Sequence, residues 1–156
     1  CQNHRISYSL YHCLIYGSTL MAASPTYSSS VAAVRAQLLP ADTTAWKDVY
    51  DNSAGTSPVR IEGLGICSDD TSTVNIQFSM LIGGTNYLIG TVRAVTLSGT
   101  DGAAAKVQAL PTIGVLAPDG IYDIWVGAGE KLQAKSLVTV TTAKTVNITG
   151  RARLYA

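Results

Sequence analysis

Charge is scarce in this chain. Only 13% of its 156 residues are Asp, Glu, Lys or Arg, against about 25% in an average soluble domain. The 11 basic and 10 acidic residues leave a net charge of +1, with no run of like charge. Nucleic acid is held by clustered Lys and Arg that displace counterions from phosphates, so it is not an expected partner. Histidine is almost missing: His4 and His12 both precede Met21. Beyond that point no imidazole stands ready to activate a Ser or Cys nucleophile. The three cysteines, Cys1, Cys13 and Cys67, match neither a disulfide framework nor a zinc site. Cys67, with no basic neighbour to lower its pKa, reads as a small hydrophobe at a strand end. No stretch reaches the roughly 20 apolar residues of a membrane span, and no membrane partner is expected.

Other chemistry is thin as well. Lys47, Lys106, Lys131, Lys135 and Lys144 sit beside alternating polar positions and read as solvated surface. The carboxylates Asp48, Asp51, Asp69, Asp70, Asp119 and Asp123 fall mostly in turns, which Asp favours for its own hydrogen-bonding reasons. No two of them pair from sequence as a glycosidase requires. Asp69-Asp70 and Asp119-Gly120 lack the alternating acidic loop of an EF-hand. Gly63-Leu64-Gly65 and Gly127-Ala128-Gly129 lack the rest of a dinucleotide fingerprint. Asn147-Ile148-Thr149, a glycosylation pattern, falls inside an expected strand. No enzyme activity, cofactor, metal site or small-molecule ligand is expected.

What is present is apolar residue in period two. Apolar types make up 47% of the chain, and alternation of this kind places successive side chains on opposite faces of a strand. Val146, Ile148, Gly150, Ala152 and Leu154 share one face of the last segment; Thr145, Asn147, Thr149, Arg151, Arg153 and Tyr155 share the other. Val74, Ile76, Phe78, Met80 and Ile82 point inward against Asn75, Gln77 and Ser79. Gly83-Gly84 supplies a tight hairpin turn after them, and Tyr87 to Val95 returns antiparallel. Between Pro58 and Cys67 the apolar register slips at Gly63, which reads as a β-bulge. Further strands are expected at Trp46 to Tyr50, Ala105 to Leu110, Tyr122 to Val126 and Lys131 to Val140, the last bent or split near Ser136. The segment Ser30 to Leu39 fits a short helix or, from Arg35, a strand.

Turn signals recur roughly every 8 to 12 residues, the spacing of a sandwich or barrel and not of βαβ units. The expected fold is all-β: an antiparallel, jelly-roll-like β-sandwich of about eight strands. Residues 25–156 form the single domain, and residues 1–24 read as a leader or non-native extension without order. Met21-Ala22-Ala23-Ser24 looks like an ordinary start. The rival is a signal peptide, whose apolar run from Leu10 to Leu20 is broken by His12, Gly17, Ser18 and Thr19. Trp46 and Tyr50 share a face if their strand is regular, and Trp125, set in an apolar strip, is expected in the core. The long C-terminal strand is expected to overshoot its neighbours and leave an edge for another chain to cover. Its outer residues Arg151, Arg153 and Tyr155 are the candidate oligomer interface.

The run Trp46-Lys47-Asp48-Val49-Tyr50, then Val59-Arg60-Ile61-Glu62-Gly63-Leu64-Gly65-Ile66-Cys67, then Val74-Asn75-Ile76-Gln77-Phe78 resembles the small β-sandwich structural proteins of tailed bacteriophages, of tail, neck or capsid-decoration type. Asp51 stands where that pattern has Thr, and Cys67-Ser68 near its usual Asn. The resemblance implies a non-catalytic virion protein, assembled in the host cytoplasm through contacts with copies of itself or with other virion proteins. The alternative is a secreted carbohydrate-binding or adhesion module on the same sandwich, with exposed aromatics as its platform.

Overall fold

A computed structural model describes residues 28–101 and 103–155, with the side chains of 28, 29 and 155 excepted. The expected leader, with His4, His12, Cys1 and Cys13, lies outside the described residues. Among the described residues ten antiparallel strands form two sheets. They are β1 (Ser28–Leu38), β2 (Lys47–Asp51), β3 (Val59–Ser68), β4 (Val74–Ile82), β5 (Thr85–Ala94), β6 (Val107–Gln108), β7 (Val115–Leu116), β8 (Tyr122–Val126), β9 (Lys131–Ser136) and β10 (Val146–Tyr155). The larger sheet runs β1-β10-β3-β8-β7, with β6 also paired to β3; the smaller runs β2-β9-β4-β5. The fold is the all-β sandwich the alternation predicts. The three elements beyond it, β7, the one-turn helix α1 (Leu110–Ile113) and a 3-10 turn at Pro40–Asp42, are too short to leave a period. The expected strand at Ala105 to Leu110 shrinks to β6 because Leu110 enters α1, where Pro111 suits the first turn.

The core lies between the sheets. Val34, Leu38, Ile61, Ile66, Val126 and Ile148 enter it from the larger sheet; Val49, Ile76, Phe78, Val92 and Leu132 enter it from the smaller. The segment left open between helix and strand is β1, paired with β10 from Ser30 opposite Leu154 to Leu38 opposite Val146. That pairing provides a full ladder and burial of Val34 and Leu38, whereas a lone helix of that length is marginal in water.

The predicted bulge is at Gly63. Gly65 pairs with Thr149 and Glu62 with Arg151, so Gly63 and Leu64 together oppose Gly150. Gly63 has φ +70°, a left-handed conformation that costs a side-chain-bearing residue about 1 to 2 kcal/mol. The extra residue puts Leu64 and Ile66 on the same buried side as Val59 and Ile61. It also divides β3 between partners: β8 pairs with residues 59–62, and β6 with residues 65–66. Gly150 has no space for a side chain, since a Cβ there would lie 2.8 Å from the Gly63 carbonyl oxygen.

The hairpin of β4 and β5 turns at Gly83-Gly84, with φ of +56° and +84°, as expected. Val74, Ile76 and Phe78 are fully buried, but Met80 is half-buried and Ile82 exposed, because the hairpin tip extends beyond the pairing of β4 with β9, which ends at Leu81. Ser79, expected outward, is buried with its hydroxyl 3.0 Å from Asn86 Oδ1. The expected strand at Lys131 to Val140 ends at Ser136, whose hydroxyl turns back to the Val138 carbonyl. In β2 the ladder skips Val49, Asp48 facing Gln133 and Tyr50 facing Leu132, so the alternation that would align Trp46 with Tyr50 is broken.

Two further corrections concern where segments lie. Trp125 is half exposed, because Ile124 and Val126 take the inner face of β8. The C-terminal strand does not overshoot as an edge: β10 has β1 along one side and β3 along the other. Its length is used by two neighbours in place of a partner chain.

Phe78→Ala is expected to cost about 3 to 5 kcal/mol, the range for large aromatic truncation in a core, and Gln77→Ala well under 1 kcal/mol, as for a surface position. Equilibrium urea unfolding of both variants checks the order; a larger loss for Gln77 would place the register one residue off. Gly150→Ala is expected to destabilise more than Gly63→Ala, since the first forces backbone apart and the second only strains one dihedral pair. Equal losses in the same measurement would contradict the opposed-glycine geometry.

Candidate functional site

The outer face of the larger sheet carries the chain's main charge cluster. Arg60 on β3 forks to three carboxylates: Nε to Asp123 at 2.6 Å, Nη2 to Asp119 at 2.7 Å and Nη1 to Glu62 at 3.3 Å. Glu62 and Asp123 stand directly opposite across β3 and β8, a repulsive pair by itself, and the guanidinium between them removes the conflict. Glu62 also accepts from Arg153 Nε at 2.6 Å. Asp119 in the β7–β8 turn is lowered in pKa, first by Arg60 and then by the Ile121 amide.

Of the three residues singled out on β10, Arg153 is therefore tied to Glu62 while its side chain stays half exposed. Arg151 is exposed and lines a shallow depression with Glu62, Gly63, Lys106, Thr149 and Gly150. The Tyr155 backbone faces Ser28, and its side chain lies outside the described residues. The strand brings Arg151 and Arg153 to one outer face, beside Ala33 and Val31 of β1.

Next to the Arg60 cluster lies an apolar surface that periodicity does not disclose. Val115 and Leu116 of β7, with Ile121, Tyr122 and Trp125 of β8 and its approach, are all exposed, Val115 by 73%. On the adjoining edge of the smaller sheet, Tyr87 and Leu88 are exposed too. Met80, Ile89, Ile113, Val115, Ile124 and Trp125 line the shallow depression joining the two hairpins. The helix α1 seals the sandwich beneath with Leu110 and Ile113. The run Ile121, Tyr122, Ile124, Trp125 and Val126, broken only by Asp123, is the sequence signal: such a strip buries one face and leaves apolar side chains on the other.

The titratable groups are gathered, each carboxylate pair around a cation or a set of donors. Lys131 bonds Asp48 at 2.8 Å and Asp51 at 2.7 Å. Its pKa is raised, first by Asp48 and then by Asp51, the reverse of what a lysine base needs. Asp51 is lowered to about 2, by Lys131 first and by Ser53 next. General acid and base work needs one carboxyl raised against its neighbour, and this arrangement moves the carboxyl down. Lys47 pairs with Asp42 at 2.8 Å, and Lys135 lies 4.6 Å above the ring of Trp46. Cys67 is half-buried near the end of β3.

Asp69 and Asp70 bind loops. Asp70 accepts from the Ser72 amide at 2.9 Å and from the Thr141 amide and hydroxyl at 2.8 and 2.7 Å, and its carbonyl accepts from the Leu97 amide. Asp69 accepts from the Thr145 amide. Three loops at one end of the sandwich thus close on two adjacent residues. Among the described residues no group of three or more His, Cys, Asp and Glu side chains could hold a metal ion.

No family model matches the chain, and no curated protein matches it. Among solved structures, it is similar to the nucleoplasmin-like N-terminal domain of Drosophila FKBP39, at 10% identity over 81% of this chain and 93% of that one, with a TM-score of 0.39. Two pentameric capsid proteins isolated from metagenomic phage sequences are also similar, at 20% and 17% identity and TM-scores of 0.36 and 0.35. Each alignment covers 78% of this chain, but only 59% and 67% of those proteins.

Burial acts most strongly on the Asp70 carboxyl and raises its pKa, but the hydrogen bonds from Thr141 and Ser72 together bring it below the ordinary carboxylate value. A carboxylate lowered by folding stabilises the native state above its unfolded pKa, and that stability is lost as pH falls through the folded value. Asp70→Asn is therefore expected to cost about 1.5 to 3 kcal/mol at pH 7, the range for hydrogen bonds to a charged group. The difference from the unmodified protein should narrow below about pH 4. Urea unfolding of both proteins at pH 7 and pH 3 tests this; a constant difference would refute the assignment.

Proposed function

We propose that this chain is a non-catalytic structural protein of a tailed-phage particle that works through contacts with copies of itself and with other virion proteins. The observation that carries the reading is the exposed apolar side chains on both faces of the β7–β8 hairpin, Val115 and Trp125 on one and Leu116 and Tyr122 on the other, with Tyr87 and Leu88 exposed on β5. Contiguous exposed apolar side chains rimmed by charge are the usual form of a protein contact, and the Arg60 cluster supplies the rim here. The sequence pattern shared with small phage β-sandwiches supports the same reading. On it, the single domain comprises residues 25–156, and the outer face of β10, with Arg151, Arg153 and Tyr155, lies near the contact.

The exposure of Trp125 raises the alternative of a sugar platform. Such a platform needs hydrogen-bonding groups beside the ring to fix the sugar. Around Trp125 stand Met80, Ile89, Ile113, Val115 and Ile124, and its polar neighbours are Arg60, directly opposite across β3 and β8, and Asp123, which are already bonded to each other. This environment favours a protein surface over a glycan.

The test is the mass of the full chain in solution by light scattering. The unmodified protein is expected to be a multiple of 16.3 kDa, and Leu116→Ser with Trp125→Ser should weaken association at least about tenfold, as removal of a central Trp anchor does. Replacing Arg151, Arg153 and Tyr155 together by Ser should weaken it less. An unmodified protein that stays a single chain at high concentration would end the self-assembly reading.

A further inference from the structure

Four strands end the two sheets, beside the two-residue β6 that flanks β3, and three of the four are protected. The strand β7 has two residues. The strand β2 is five residues long, is broken at Val49 and carries Lys47, Asp48 and Asp51. The strand β5 is irregular opposite Phe78 and Ser79 and carries Arg93. Short length, bulges and charge are the devices by which edges avoid pairing with other chains.

The fourth, β1, is the least protected, with its one irregularity at its start, between Ser28 and Ser30. It is 11 residues long, pairs with β10 without irregularity from Ser30 to Leu38, and has Arg35 as its one charge. Among the described residues its outer edge makes no backbone hydrogen bond. A straight row of unpaired N–H and C=O groups beside small side chains is a template for another strand.

We propose that two copies of this chain pair β1 to β1 in antiparallel fashion about a two-fold axis at Val34, joining their larger sheets into one. This rests on the self-assembly reading above and names its seam. A two-fold contact must be self-complementary, and this strand is. Val34 lies midway between Ser30 and Leu38, so Ala32 meets Ala36 of the second copy on the inner face. On the outer face Val31 meets Gln37 and Ala33 meets Arg35. The single arginine thus faces alanine and never its own copy, avoiding the like-charge opposition that destabilises cross-strand pairs. Small side chains at Ala32, Ala33 and Ala36 let the backbones close to ladder distance. The seam also sets Arg151 and Arg153 one strand away from the second copy.

The experiment is sedimentation velocity of the full chain over a concentration series, with thermal melting to confirm that each variant folds. Val31 and Ala33 are exposed, so substitutions there spare the core. Val31→Lys with Ala33→Lys should weaken dimerisation about tenfold or more, by bringing lysine toward Arg35 of the second copy. Ala33→Glu should preserve or tighten it, because the same register sets glutamate against that arginine twice. Loss with both variants while folded, or no change with either, would overturn the Val34-centred pairing. If the unmodified protein associates and only the Leu116→Ser/Trp125→Ser variant separates it, the seam is refuted and self-assembly stands. A single-chain unmodified protein would refute the self-assembly reading itself, and the seam with it.

Discussion

The meeting of Gly63, Leu64 and Gly150 is the constraint on which the larger sheet depends. The strand β3 must bury Val59 and Ile61 in one half and Leu64 and Ile66 in the other, two sets that a regular strand would place on opposite faces. One extra residue reconciles them. Since the bulged strand bends there, β8 pairs with it before the bulge and β6 after it, and Gly150 leaves space for the displaced backbone. Without that accommodation β10 could not run between β1 and β3, and the sheet would lose its centre.

Polar groups close the two ends of the sandwich. At one end Asn52 Nδ2 donates to the carbonyls of Ser57 and Gly127, and the Asn52 carbonyl accepts from Gly129. At the other, Asp69 and Asp70 gather three loops. The remaining carboxylates are drawn into local bonds as well: Asp48 and Asp51 to Lys131, and Glu62, Asp119 and Asp123 to Arg60. A chain with little charge thus uses much of it internally. The surface left over is in places apolar, and an apolar area carries no charge-desolvation cost on contact.

The two sides of the sandwich differ in kind. On the side of β1 and β2, the larger sheet ends in a straight strand of small residues. On the side of β5 and β7, edges are irregular or very short and the exposed side chains are large: Tyr87, Leu88, Val115, Leu116 and Trp125. Backbone pairing suits the first surface and side-chain packing the second. Two surfaces so unlike would, if both made contacts, allow association beyond a closed pair.

Alternation alone determined the all-β class, the inward faces of Val74, Ile76 and Phe78 and of Val146, Ile148 and Ala152, the bounds of β8, and the glycine positions of bulge and hairpin turn. Those features follow from the period of the backbone, which is local. Arg151 and Arg153 were legible as outward for the same reason, but their neighbours were not: Glu62 lies far away in sequence, and only the pairing of β10 with β3 brings it to Arg153. The expectation of a buried Trp125 fails because the one polar marker of its face, Asp123 two residues before it, is outweighed by apolar neighbours on both sides. Nor could a long final strand reveal that it lies inside a sheet, or Ser30 to Leu39 that it is a strand, since both depend on β1 and β10 meeting across the whole length of the chain. Position within a strand is written in the sequence; position of the strand within the sheet is decided by long-range pairing, and that decides which surfaces remain for another molecule to touch.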